Sequence, residues 1–182
     1  MTPYSNEYTL KNGRKLIVRQ PVAADAEGLI ALIQRVDTES RFLGREPGEF
    51  DFTPDREREL IEGMLTAERE RWFVAEYEGE IVGQCSVAIR NRRYRFAHRA
   101  VLGIMVRADC WGLGIGGQLM REAIAWCRGK GLEQLELEVV DGNERAIAMY
   151  ESFGFVKTGA HPRGIRYADG TYADELFMVL RL

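Results

Sequence analysis

The stretch Trp111-Gly112-Leu113-Gly114-Ile115-Gly116-Gly117 carries more chemical information than any other in this chain. Four glycines among residues 112–117 are costly to order, so either a partner approaches the backbone closely or the chain needs unusual dihedrals there. A helix starting at this point would offer unpaired N–H groups and partial positive charge, a setting suited to phosphate oxygens. No acidic residue follows until Glu122, which leaves the first turn open to an external anion. The plainer alternative is that the glycines allow tight helix–strand packing.

Gly112-x-Gly114-x-x-Gly117 also matches a dinucleotide fingerprint, but that motif needs a turn directly off its strand. Here residues 107–111 intervene, and too few residues remain downstream for further βαβ units. A P-loop is excluded because Gln118-Leu119 stands where Lys and Ser or Thr are required. Cys85, Cys110 and Cys127 are widely spaced, and His98 and His161 are the only histidines, so no metal-ligand pattern appears and no metal is expected.

At 182 residues the chain has the length of one domain, expected to run over residues 1–182. Its formal charge of -3 argues against a nucleic-acid partner, although Arg90, Arg92, Arg93, Arg95 and Arg99 form a local basic cluster that reads as a solvated connection. Reduced thiols, no basic-then-apolar leader and no long apolar run lead us to expect a cytoplasmic protein without membrane contact.

The elements that must position the glycine turn follow from periodicity. KLIVR reads as a strand, and Leu29, Ile30, Leu32, Ile33 and Val36 recur at helical spacing, with Asp25 near the helix start. Residues 37–52 read as a loop, after which Thr53 caps a helix that opens with Pro54 and carries Leu60, Ile61, Met64 and Leu65. WFVAEYE and IVGQCSVAIR alternate as an antiparallel hairpin around Gly79. RAVLGIMV is more continuously apolar, which predicts burial on both faces. A helix from about Gly116 to Arg128, closed by Gly131, precedes the strand LEQLELEV. In that strand Leu135, Leu137 and Val139 oppose Gln134, Glu136 and Glu138. A short helix over 143–153 and the strands FVKTGA and DELFMVLRL, joined by a turn at Asp169-Gly170, end the chain. The order βααβββαβαββ predicts an α/β (α+β) fold whose mainly antiparallel sheet has one parallel pair.

After the glycine turn and a strand stands Asn143-Glu144-Arg145-Ala146-Ile147-Ala148-Met149-Tyr150-Glu151-Ser152-Phe153-Gly154-Phe155. This N-x-x-A-x-x-x-Y-x-x-x-G-F pattern resembles the GNAT superfamily of N-acetyltransferases, most specifically over residues 99–155. Residues 163–175 are similar to its ribosomal-protein and small-amine branch. The resemblance implies a mixed sheet of six to seven strands flanked by about four helices, with strands 4 and 5 splayed. It implies acetyl-CoA as co-substrate, its pantetheine arm along Ile104, Met105 and Val106 and its pyrophosphate on Gly112, Leu113, Gly114, Ile115, Gly116 and Gly117. Asn143 resembles the residue whose side chain touches the cofactor, a role compatible with capping a helix. Trp111 fills a place where Gln or Arg is common, and would pack under the helix or cover the adenine or ribose.

Acetyl transfer to an amine needs a base, because amines are mostly protonated at neutral pH, and a proton for the departing thiolate. Tyr150 resembles the family's proton donor, and a core tyrosine is the alternative. Glu138 looks like the general base of ribosomal-protein acetyltransferases, or is a solvated carboxylate; His98 is a weaker candidate. A backbone N–H near Met105 would polarise the carbonyl. A covalent route through Cys110 is open in principle, but direct attack is simpler. The acceptor amine would meet residues 37–51 and 161–173, where Asp37, Glu39, Glu46, Glu49 and Asp51 could attract a cation or be solvated. A homodimer is compatible with the resemblance. A non-catalytic acyl-CoA-binding module and a nicotinamide oxidoreductase remain as alternatives.

Overall fold

The computed structural model describes residues 4–91 and 93–182; Arg92 of the basic cluster lies outside the described residues. Eight strands and four helices follow one another as β1 (Ser5–Thr9), β2 (Lys15–Arg19), α1 (Ala26–Glu39), α2 (Pro54–Thr66), β3 (Glu70–Tyr77), β4 (Glu80–Ile89), β5 (Arg99–Val106), α3 (Ile115–Gly129), β6 (Gln134–Val140), α4 (Glu144–Ser152), β7 (Val156–Arg166) and β8 (Tyr172–Arg181). They build one sheet in the order β1-β2-β3-β4-β5-β6-β8-β7. Every neighbouring pair is antiparallel except β5 and β6.

The helix boundaries follow local chemistry. Thr53 accepts the Arg56 N–H at the start of α2, and Pro54 needs no hydrogen-bond partner in that first turn. Past the end of α3, Gly131 takes φ 68 and donates to the Arg128 carbonyl at 3.0 Å, the left-handed closure expected there. The apolar stripe of α2 is narrower than its sequence suggests. Ile61 is buried, whereas Leu60 and Leu65 are exposed.

Each face of the sheet carries its own helices. Leu119, Met120, Ala123 and Cys127 of α3 and Tyr150 of α4 pack with Leu135, Leu137 and Val139 of β6. Leu29, Leu32 and Val36 of α1 and Ile61 of α2 cover Val74, Trp72 and Met105 on the other face.

Three features differ from the sequence reading. β1 is an added eighth strand; its SNEYT is polar and mostly exposed, so no alternation announced it. It is held by β2 and by Glu122 of α3, whose buried carboxylate accepts from the Tyr4 and Tyr8 hydroxyls and from Asn6 Nδ2. β7 runs past the expected FVKTGA and through Pro162, with two register shifts; it lies at the sheet edge, where proline is tolerated. β5 is not buried on both faces: Ala100 and Leu102 are, but Gly103 is exposed and Ile104, Met105 and Val106 are half-buried. The reason lies in its pairing with β6.

Candidate active site

β5 and β6 are in register for only three pairs, Arg99 with Gln134, Ala100 with Leu135 and Val101 with Glu136. Beyond them β5 stays with β4 up to Val106, and β6 stays with β8 along its whole length. Each strand follows its antiparallel neighbour, so a gap opens between residues 102–106 and 137–140. These are the strands that the sequence reading counted as 4 and 5, shifted by one through the addition of β1.

Backbone parity decides what β5 offers to the gap. Arg90 donates to the Arg99 carbonyl at one end of the β4–β5 ladder and Arg107 to the Val82 carbonyl at the other, with an unbroken register between. Odd-numbered residues of β5 therefore direct their peptide groups to β4, and Leu102, Ile104 and Val106 direct theirs into the gap. Of the three residues expected to meet the cofactor, Ile104 turns both peptide groups to the gap and Val106 its N–H, the Val106 carbonyl being taken by the Trp111 indole. Met105 instead bonds Gln84 of β4 through its peptide groups and lends only its side chain to the cavity wall. The N–H groups near Met105 that face the gap are those of Ile104 and Val106.

The glycine turn lies at one end of the gap. Gly112 and Gly114 take φ 79 and 93, conformations that disfavour any side chain. Gly116 serves packing: a Cβ there would sit 3.1 Å from the Met149 sulfur of α4. The first helical bond of α3 runs from the Gln118 N–H to the Gly114 carbonyl, so the N–H groups of Ile115, Gly116 and Gly117 have no helical acceptor. No acidic residue occupies that first turn. Asn143 caps α4 through its side chain, which accepts from the Ala146 N–H at 3.4 Å, and it lines the same cavity.

Two cations there were not anticipated. Arg121, one turn beyond Gly117, and Arg145, two residues past Asn143, both line the cavity, and neither has an ion-pair partner among the described residues. Arg145 stacks 4.0 Å from the Trp111 ring centroid. Trp111 does not pack under the helix. It stands 38 % exposed on the cavity wall, its indole N–H donating to the Val106 carbonyl at 2.7 Å.

The whole cavity measures about 1410 Å³ and passes through the gap from one sheet face to the other. On the α3 face, Tyr150 is 6 % exposed and packs against Phe155. Burial, and then the nearby Cys85, push its hydroxyl well above the usual tyrosine range, so it remains protonated. Glu138 lies on the opposite face, exposed on β6 beside the gap. Register places Glu175 and His161 on that same face, Glu175 opposite Val140 and His161 opposite Glu175. Burial and the Glu138 charge raise the Glu175 carboxyl, with His161 partly offsetting them. Sequence alone did not single out Glu175.

His98 and Cys110 are not brought into this arrangement as reactive groups. His98 precedes β5 and is separated from Ile104 by six residues, about 20 Å of extended strand. Cys110 touches the cavity, but burial and the neighbouring Asp109 raise its thiol, which disfavours the thiolate.

The two segments assigned to the acceptor do meet. Ala168 N–H donates to Glu46 at 2.7 Å, and Arg41 stacks 4.0 Å from the Tyr167 centroid. Four of the five carboxylates, however, are engaged internally, and Asp51 is exposed. Asp37 is 3 % exposed and binds Arg45 through two hydrogen bonds of 3.1 and 3.0 Å; Glu39 pairs with Arg35 and accepts the Ala108 N–H. Glu49 accepts the Glu46 N–H. The basic cluster is similarly moderated, because Arg90 and Arg99 share the buried Glu136.

A free strand edge, a helix N-terminus without acidic residues and two unpaired arginines fit a phosphate-bearing cofactor with a pantetheine arm. Comparisons with known proteins agree with this geometry. Residues 36–155 match the family model described as Acetyltransferase (GNAT) family. The chain is 30% identical over 113 residues to a mycothiol acetyltransferase of Acidimicrobium ferrooxidans, a match over 59% of this chain and 36% of that protein. It therefore spans well under half the length of that relative. Among solved structures, it resembles an acetyltransferase of GNAT family from Streptococcus pneumoniae with TM-score 0.86 and 26% identity, over 92% of this chain and 99% of that one. It also resembles a ribosomal-protein-alanine N-acetyltransferase from Brucella melitensis, with TM-score 0.79 and 25% identity over 91% and 99%.

Proposed function

Because the chain belongs to the acetyltransferase (GNAT) family, we propose that residues 1–182 act as one domain that transfers the acetyl group of acetyl-CoA to a primary amine by direct attack. The observation that carries this reading is the divergence of β5 from β6 beside the open N-terminus of α3. Ile104 holds the pantetheine arm with its gap-facing peptide groups and Val106 with its N–H, and Met105 flanks it. Gly112, Leu113, Gly114, Ile115, Gly116 and Gly117 cradle the pyrophosphate with backbone N–H groups; Asn143, Arg121 and Arg145 add side-chain contacts.

When bound, acetyl-CoA supplies an activated thioester. Glu138 takes a proton from the incoming ammonium on its own face of the sheet. The Ile104 or Val106 N–H acts as a fixed dipole for the carbonyl oxygen as negative charge develops there. Tyr150, held neutral by burial, donates a proton to the thiolate from the α3 face. The acceptor is a small amine or a peptide N-terminus, the latter supported by the likeness to the ribosomal-protein-alanine enzyme.

Calorimetric titration with acetyl-CoA, followed by thiol release across amines and N-terminal peptides, tests the proposal. Saturable binding with release on one acceptor class is the expected result. Binding with no release on any acceptor would favour a non-catalytic acyl-CoA-binding module, and absence of binding would overturn the reading of the glycine turn.

A further inference from the structure

The acceptor side of the cavity contains a polar group with nothing to bond. Gln84 of β4 is 6 % exposed and lines the cavity, and its side-chain amide has no hydrogen-bond partner among the described residues. Its register partners are Val74 on β3 and Met105 on β5, which place it on the α1–α2 face. Trp72 and Ser86 share that face two residues along, and Leu43 closes over it from the loop. Gly103, opposite Ser86, adds no side chain to the wall, and a Cβ there would sit 3.2 Å from the Ser86 hydroxyl oxygen. The result is an apolar chamber of Trp72, Leu43 and Met105 with one unsatisfied primary amide in its wall.

An amide that reaches the cavity with no protein partner leaves its oxygen and its N–H groups free, and the chamber gains most from an occupant that meets both. Of the charged groups on this side, Arg45 is matched by Asp37, and Glu39 by Arg35 and the Ala108 N–H, whereas Glu138 stands exposed beside the gap for the reactive ammonium. A full charge placed against Trp72, Leu43 and Met105 would pass from water into apolar surroundings, which disfavours a free carboxylate or a second ammonium at that position. A neutral carboxamide has the complementary donor and acceptor. Strands lie about 4.8 Å apart, so β4 is one spacing from β5 and the gap lies just beyond. A group a few bonds from the amine can bridge that separation.

We infer that Gln84 selects acceptors in which the reactive amine is adjacent to an uncharged amide on an apolar body, as in an aminoacyl amide or a peptide N-terminus. This rests on the acetyl-transfer reading above. Four probes with one isobutyl side chain test it, with thiol release measured at saturating acetyl-CoA: L-leucinamide, the peptide Leu-Gly-Gly with its C-terminus amidated, L-leucine and isoamylamine. In the wild type, kcat/KM referred to the unprotonated form of each amine should be about 100-fold higher for L-leucinamide than for isoamylamine, because a site built to bond a polar group rejects the analogue lacking it. Gln84→Leu should reduce the ratio to within about 5-fold, through a higher KM for the amide, and leave isoamylamine unimpaired. Leu-Gly-Gly above L-leucinamide identifies a peptide as the source of the amide; the reverse order identifies a small molecule.

Calorimetric acetyl-CoA affinity shows that each variant is folded, and Gln84→Met replaces Gln84→Leu if the latter is not. An unchanged ratio in a folded variant overturns the inference, as does a preference for L-leucine. Acetyl-CoA binding with no release on any of the four probes also overturns it and leaves the cofactor site standing. Failure to bind acetyl-CoA would instead overturn the functional reading itself.

Discussion

The two sides of the gap are built from different materials. The α3 side is largely backbone: the peptide groups of Ile104, the Val106 N–H, the N–H groups of residues 115–117, and glycines that let them approach. The α1–α2 side is made of side chains from distant segments, with Gln84, Ser86, Trp72, Leu43 and Arg45 converging on one chamber. Backbone recognition tolerates varied sequence but demands fixed geometry, which suits one invariant co-substrate. Side-chain recognition can be altered residue by residue, which suits an acceptor.

If that division is right, damage to one side should spare binding on the other. Tyr150→Phe should produce the largest effect, lowering kcat by about 10²- to 10⁴-fold with acetyl-CoA affinity kept within a few-fold. Stopped-flow thiol release and calorimetry together check this, and an unchanged kcat would make Tyr150 a core residue. Asp37→Asn should break a buried ion pair and cost about 3 kcal/mol in urea unfolding. It should raise acceptor KM through displacement of Arg45 while leaving acetyl-CoA affinity nearly intact. Arg145→Ala should weaken acetyl-CoA about 10-fold, most clearly at low salt, with no change in acceptor KM. An equal change in both constants would mean that the two sides are not independent.

The smallest expected effect concerns pH. Burial works against the Asp25 carboxylate, but two bonds from Arg19 at 2.7 and 2.9 Å and one from the Val22 N–H hold it below its usual range. Its folded pKa lies under the unfolded value near ~3.9. The stabilisation is present above that value and is lost as pH falls through the folded pKa. Unfolding curves from pH 6 to 2 should be less steeply acid-sensitive in Asp25→Asn than in the wild type, with the difference confined to the region below about pH 4.

The same division governs what could be read in the sequence. The glycine turn, the helix cap at Asn143 and the alternation of β6 are local, so their spacing carried their meaning. Gln84, in contrast, reads as one polar residue in the strand IVGQCSVAI; only pairing on both sides reveals that it lies on the α1–α2 face and lines the cavity. Arg121 and Arg145 gain importance from the closeness of two helix N-termini, which depends on the contact between Gly116 and Met149. Met105 was placed on the correct strand, but which of its neighbours faces the gap depends on ladder parity across β4, a long-range fact. β1 escaped detection because its fixation comes from Glu122, more than a hundred residues away in sequence.

The positions of the tryptophans give the molecule its own optical readout. Trp111 lines the α3 side, tethered to Val106 and stacked with Arg145, whereas Trp72 lines the α1–α2 chamber. Trp126 sits away from the cavity on α3 and provides a constant background. Fluorescence of Trp72→Phe would therefore follow occupancy of the first side, and that of Trp111→Phe occupancy of the second. Rapid mixing of the two variants would give the order in which the substrates arrive, without a label of any kind.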